Sequence, residues 1–264
     1  MASRVRRRAA RSLATYILTD GEPFDKARFL GTLESVWGVA PEDLEADLLD
    51  VPEVPLVFML GKILVAVMYV ASPLPEHLAE ELAETADDEK GAAKTAREHK
   101  GYVLINVTGP VPVKALAHVA SKVTHAAASE PGVLAVMLPW AFFPKEDYLA
   151  RVVPDVNRDV LPVPAWVTVS LRYDEEEAEL YTNGMAAFGL PELELTGLPK
   201  SNERTAEAIA LMNSLAAMIV LETRRIPLSE PVDVGGETIR RVVLTKGPGL
   251  NVEGTSYKIA PEWR

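Results

Sequence analysis

Along this chain apolar residues recur at two spacings, every third to fourth position in some stretches and every second in others, and the spacing assigns the elements. Phe24, Ala27, Phe29, Leu30, Leu33 and Trp37 fall at the helical interval, with Asp20 or Glu22 near its start. Leu56 to Leu60 and Ile63 to Val70 are β-rich runs separated only by Gly61-Lys62, a natural two-residue hairpin turn. Both runs are apolar at successive positions, which predicts strands of a buried sheet covered on each face. Ala9 to Leu18 reads as a short amphipathic helix behind an arginine-rich start.

From Pro75 to Lys100 the chain is rich in Ala, Glu, Asp and Lys, with Leu78, Leu82 and Ala86 on one helical stripe that Asp87-Asp88-Glu89-Lys90-Gly91 interrupts. That composition predicts solvated helix or connector. Tyr102 to Val107 follows as a strand, and Pro112 to Ala128 as a helix with Val113, Leu116, Ala117, Ala120, Val123, Thr124 and Ala127 on its inner face. Val133 to Leu138 is a fully apolar strand. Beyond it Trp140, Phe142 and Phe143 form either an exposed contact patch or a cap on the core, and Pro144 opens a short helix toward Val152.

After a proline-rich hinge from Pro154 to Pro164, Trp166 to Tyr173 alternates as a half-buried strand, Asp174 to Glu177 is an acidic turn, and Glu179 to Thr182 returns as a strand. Asn183-Gly184 supplies positive φ at the strand exit, Met185 to Phe188 one helical turn, and Gly189 its left-handed cap. Glu192 to Leu195 then alternates acid and leucine. Asn202 to Arg224 is the longest helix, apolar over more than one stripe and therefore largely enclosed. Pro231 to Val234, a Gly235-Gly236 turn, Thr238 to Leu244 and a last strand near Tyr257 to Ile259 close the chain.

This order predicts an α+β fold, a mixed, largely antiparallel sheet or sheets covered by helices. Three segments follow from it: a basic start and opening helix in residues 1–50, a first α+β lobe in 51–155, and a second in 165–264. The halves echo each other in element types without a residue-level repeat. Two similar lobes or one continuous domain satisfy the pattern equally.

The 264 residues are 48% apolar, ample for a buried core, and 38 acidic against 27 basic side chains give a net charge of −11. Such a field repels phosphate backbones and attracts basic partners, so general nucleic-acid binding is disfavoured. Arg4, Arg6, Arg7, Arg8 and Arg11 precede the acidic stretch from Asp20 to Asp50 and read as a solvated helix start. There is no cysteine, which removes disulfides, thiolate chemistry and cysteine-bound metals and fits a reducing cytoplasm. The apolar run from Val54 to Ala71 approaches bilayer length, but Lys62 at its centre favours the hairpin over a transmembrane span.

Candidate chemistry is sparse. Glu192 and Glu194 flank Leu193 on one strand, which sets both carboxylates on one face roughly 6.5–7 Å apart at Cα, a spacing open to a divalent cation or general acid–base work. The plainer alternative is a strand with leucine inward and glutamate outward. His118 and His125 lie seven positions apart on one helix, about 10.5 Å along the axis, too far to share a metal ion, and read as surface histidines. His77 and His99 have no partner at a diagnostic spacing. The glycines of Asn183-Gly184, Phe188-Gly189 and Gly247-Pro248-Gly249 match neither a dinucleotide fingerprint nor a P-loop. No cofactor and no metal site is expected.

Through Thr182-Asn183-Gly184-Met185, Phe188-Gly189 and Pro191-Glu192-Leu193-Glu194, supported by the strand at Trp166 and the helix after Asn202, the chain resembles a bacterial family of uncharacterised proteins, domain of unknown function 4261. The resemblance covers roughly the C-terminal 100 residues and implies no agreed activity. Two functions of different class therefore stand. The first is a non-enzymatic cytoplasmic protein-binding, immunity or accessory protein that meets a basic partner with its acidic surface. The alternative is a hydrolase or small-ligand-binding enzyme whose site assembles from Asn183, Glu192, Glu194 and a histidine.

Overall fold

A computed structural model describes residues 11–41, 49, 51–75, 77–84, 86, 89–173, 177–222, 227–234 and 240–261. The chain divides into two compact units, Met1–Pro162 and Val163–Arg264. Together they make an α+β fold with two sheets of six strands each.

The first unit runs β1 (Arg11–Thr19), α1 (Lys26–Trp37), β2 (Leu56–Leu60), β3 (Ile63–Val70), α2 (Leu78–Ala83), α3 (Glu89–Glu98), β4 (Gly101–Gly109), α4 (Val113–Ala128), β5 (Val133–Leu138), β6 (Ala141–Pro144) and α5 (Lys145–Val156). The strands are ordered β2-β3-β4-β1-β5-β6, and every described pairing is antiparallel. Successive side chains point to opposite faces of a strand, and β1 uses both. Thr15 reaches α4, where its hydroxyl lies 3.0 Å from that of Thr124. Leu18 joins the opposite layer with Leu74, Ala79, Ala83, Ala92, Ala96, Ala135, Met137 and Phe142. The methyl side chains of α2 and α3 let these short helices lie close to the sheet.

The second unit runs α6 (Val163–Trp166), β7 (Thr168–Tyr173), β8 (Glu177–Asn183), a single 3-10 turn (Met185–Phe188), β9 (Leu193–Pro199), α7 (Asn202–Leu221), β10 (Pro231–Val234), β11 (Arg240–Pro248) and β12 (Thr255–Pro261). Its order is β10-β11-β12-β9-β8-β7, antiparallel except where β12 runs parallel to β9. Register sets Leu180, Leu193, Leu195, Val242, Leu244 and Ile259 on one face, all buried. Ser201 caps α7 by accepting from the Arg204 N–H, and the helix packs against β7, β8, β9 and β10. Among the described helices α7 alone is long and apolar enough to cross a membrane, and its inward side chains from Thr205 to Val220 are buried as in a core helix.

Several sequence expectations are corrected. Of the segment expected as a helix at Ala9 to Leu18, residues 11–18 belong to strand β1 at the centre of the first sheet, the first two lying outside the described residues; Leu13 and Ile17 match a helical spacing, but Thr15, Ile17 and Thr19 are β-branched, and Ile17 and Thr19 lie between two partner strands. Arg4, Arg6, Arg7 and Arg8 lie outside the described residues, as do Asp87-Asp88, Asp174, Arg224 and the Gly235-Gly236 turn. The hairpin at Gly61-Lys62 forms as expected, with Gly61 at φ 60. Its two faces are not both covered: β2 is a sheet edge, and Val57, Met59 and Leu64 stay 50%, 46% and 41% exposed.

Between Pro75 and Lys100 the inner stripe is Ala79, Ala83, Ala92 and Ala96 rather than Leu78. Phe142 and Phe143 are buried in an additional strand, β6, which settles their place in the core. Pro154, expected in the hinge, sits inside the last turn of α5, and the break between units falls at Pro162.

Candidate functional site

The candidate residues Asn183, Glu192 and Glu194 all fall in the second unit, around the exit of β8. Gly184 leaves the strand at φ 116, the 3-10 turn follows, and Gly189 closes it at φ 75. The start of such a turn presents backbone N–H groups without partners of their own. Glu192 supplies them. Its Oε1 accepts from the N–H of Gly184 at 3.1 Å and of Ala186 at 3.0 Å, and its Oε2 accepts from the Met185 N–H at 3.2 Å and the Thr182 hydroxyl at 2.7 Å. Thr182 Oγ1 in turn accepts from the Leu193 N–H at 2.8 Å, which sets the start of β9. Asn183 donates across to Ser170 Oγ on β7 at 2.8 Å.

Glu194 faces elsewhere. Register places it opposite Lys258 on β12, and the Lys258 ammonium reaches its carboxylate in a short contact. Ser256 Oγ donates at 2.6 Å, and the main-chain N–H groups of Leu250 and Asn251 donate at 2.9 and 2.7 Å. The β11–β12 loop is thereby folded onto a buried carboxylate. Burial by itself raises the pKa of Glu194, but Lys258, Ser256 and the two N–H groups outweigh it and hold the carboxyl down to about 2. Asn251 extends the network, accepting from Arg172 and donating to Glu179, each at 3.2 Å.

The two glutamates therefore share no hydrogen-bond partner. The expectation of carboxylates turned outward fails for Glu194, which is buried. Each glutamate uses both oxygens to fix chain geometry. Lys258, Ser256 and Asn251 escaped the sequence reading; the alternation Ser256-Tyr257-Lys258 on one strand face is the trace they leave.

The histidines lie in the first unit. His125, expected at the surface, is buried on α4, where its ring meets that of Trp37 edge-on at 5.2 Å and 79°. Burial lowers its pKa, and its Nδ1 has no hydrogen-bond partner. His118 Nε2 lies 3.3 Å from Asp159 Oδ1, to which Lys122 donates at 2.6 Å. Burial and Lys122 lower the His118 pKa against the pull of Asp159. The neighbouring Ser121 is turned away, donating to the Ala117 carbonyl at 2.8 Å. His99 is buried between the Leu74 N–H, which it accepts at 2.9 Å, and the Ala96 carbonyl.

Among the described residues no three His, Asp or Glu side chains converge to hold a metal ion. Compared with protein-family models, curated proteins and solved structures, the chain matches none.

Proposed function

We propose that this protein is a non-enzymatic binding protein, an immunity or accessory protein of the cytoplasm, that captures a basic protein partner. The observation that carries the proposal is the edge of the first sheet. Among the described residues strand β2 has one neighbour, its outer backbone groups point away from the sheet, and Val57 and Met59 remain about half exposed beside Leu64. An uncovered apolar edge is a template for strand addition. The sequence leading into it, residues 42–53, carries Glu42, Asp43, Glu45, Asp47, Asp50 and Glu53 and no basic residue, in a chain of net charge −11. The occupant suited to both features is an extended segment with alternating apolar residues and lysine or arginine flanks.

The alternative, a hydrolase or ligand-binding enzyme built on Asn183, Glu192 and Glu194, is the weaker reading because those side chains are engaged by the fold. The resemblance to domain of unknown function 4261 stays part of the proposal and contributes no activity to it. Panning a random-peptide library on the whole chain tests it. Enrichment of apolar-alternating, basic-flanked peptides is expected, with binding lost in the double variant Val57→Lys, Met59→Lys. Peptides without basic flanks, or binding that survives both substitutions, would sink the reading.

A further inference from the structure

Where β1 ends, the chain turns through Asp20 and Gly21, and Asp25 caps α1 by accepting the Arg28 N–H at 2.9 Å. Facing this turn are Glu130 and Val133 at the start of β5. Between them lies a cavity of about 230 Å³, lined among others by Glu22, Phe24, Asp25, Arg28, Glu130 and Val133. Phe24 and Val133 make it apolar on two sides, both being buried.

Glu130 is the unusual member. Its side chain is 5% exposed, and its carboxylate receives one long hydrogen bond, from Arg28 Nη1 to Oε2 at 3.4 Å. Among the described residues nothing donates to Oε1. Lys145 lies nearby, but its ammonium donates to the Glu130 main-chain carbonyl at 2.8 Å. Burial raises the Glu130 pKa, with Arg28 and Lys145 opposing and Asp25 reinforcing the rise. The cavity opens beside this carboxylate, whose second oxygen is open to a donor, and the buried Thr19 Oγ1, which lines the same cavity, has no hydrogen-bond partner. The lining carries three carboxylates, Glu22, Asp25 and Glu130, against the single guanidinium of Arg28.

We infer that this cavity binds a small organic cation, a primary ammonium on a short apolar stem, with the ammonium on Glu130 Oε1 and the stem between Phe24 and Val133. The volume is below the roughly 300–1,000 Å³ of pockets for drug-sized ligands, so the stem is a few carbons long. Arg28 is held by Asp25 and Glu130 and serves as part of the wall.

Calorimetric titration of the whole chain with n-butylammonium, butyrate and inorganic phosphate tests the inference. Saturable one-site binding of n-butylammonium is expected, weakened about tenfold or more by Glu130→Gln, with no uptake of either anion. Val133→Met, which fills the cavity and changes no charge, is expected to abolish binding while the thermal melt stays cooperative. Absence of saturable n-butylammonium binding, equal binding of butyrate, or unchanged affinity in folded Glu130→Gln would each overturn it. Should Glu130→Gln fail to fold, undiminished binding by Val133→Met overturns it alone.

Discussion

Lys258 lies opposite Glu194 across the parallel pairing of β9 and β12, and its side chain stays 26% exposed while that of Glu194 is 0% exposed. The lysine thus delivers charge from the solvent edge to a carboxylate that water does not reach. Four donors from β12 and its preceding loop converge on that one group.

This convergence sets a pH dependence. The folded-state pKa of Glu194 is depressed from an ordinary 4.5 to about 2, so its contribution is complete above pH 4.5 and lost as pH falls toward 2. A depression of that size corresponds to about 3 kcal/mol for a fully buried group. Urea denaturation between pH 7 and pH 2 is expected to show the loss, and Glu194→Gln to start destabilised and to lose less across the same window. An unaltered acid slope in Glu194→Gln would count against the assignment.

Glu192 serves the 3-10 turn, and its removal leaves three backbone N–H groups and one hydroxyl without their acceptor. Glu192→Ala is expected to cost about 1–3 kcal/mol. Amide exchange at Gly184, Met185 and Ala186 should accelerate ahead of the rest of the unit. Protection unchanged at those three amides would show that the carboxylate is dispensable.

Two glycines of the β11–β12 loop are expected to differ. A Cβ at Gly249 would stand 2.0 Å from the Val252 carbonyl oxygen, whereas Gly254, at φ +82, has open space around it. Gly249→Ala therefore forces the loop off Glu194 and costs about 2–3 kcal/mol. Gly254→Ala meets only backbone strain, about 1 kcal/mol. Equal melting temperatures for the two variants would contradict the loop geometry.

His99 has an assigned tautomer. The Leu74 N–H can only donate, so Nε2 must accept and the proton sits on Nδ1, directed at the Ala96 carbonyl. Long-range proton–nitrogen correlation at neutral pH is expected to show that form. His99→Ala should destabilise the α2–α3 layer by about 1–3 kcal/mol through the orphaned Leu74 N–H; observation of the Nε2–H tautomer would refute the arrangement.

Features governed by near neighbours were legible in the sequence. The Gly61-Lys62 hairpin, the Gly184 to Gly189 turn with its left-handed cap, and the inner face of α4 all follow from chemistry within about four residues. Strand β1 was misread because Leu13 and Ile17 suit a helix locally, while its pairing to residues 101–109 and 133–137 lies far along the chain. Glu194 was misread for the same reason. A leucine–glutamate alternation suggests an outward carboxylate, and its donors stand 56 to 64 positions away.

By itself the sequence determined the α+β class, nearly every element of the second unit, the absence of cysteine chemistry and the acidic balance, since these depend on composition and local periodicity. Tertiary structure alone decided that β1 is central, that β2 is an apolar edge, and that Glu192 and Glu194 hold the backbone in place. It also set Glu130 beside a cavity. Strand order and burial arise from contacts between distant segments, and whether a carboxylate is reactive or structural depends on which donors those contacts bring to it.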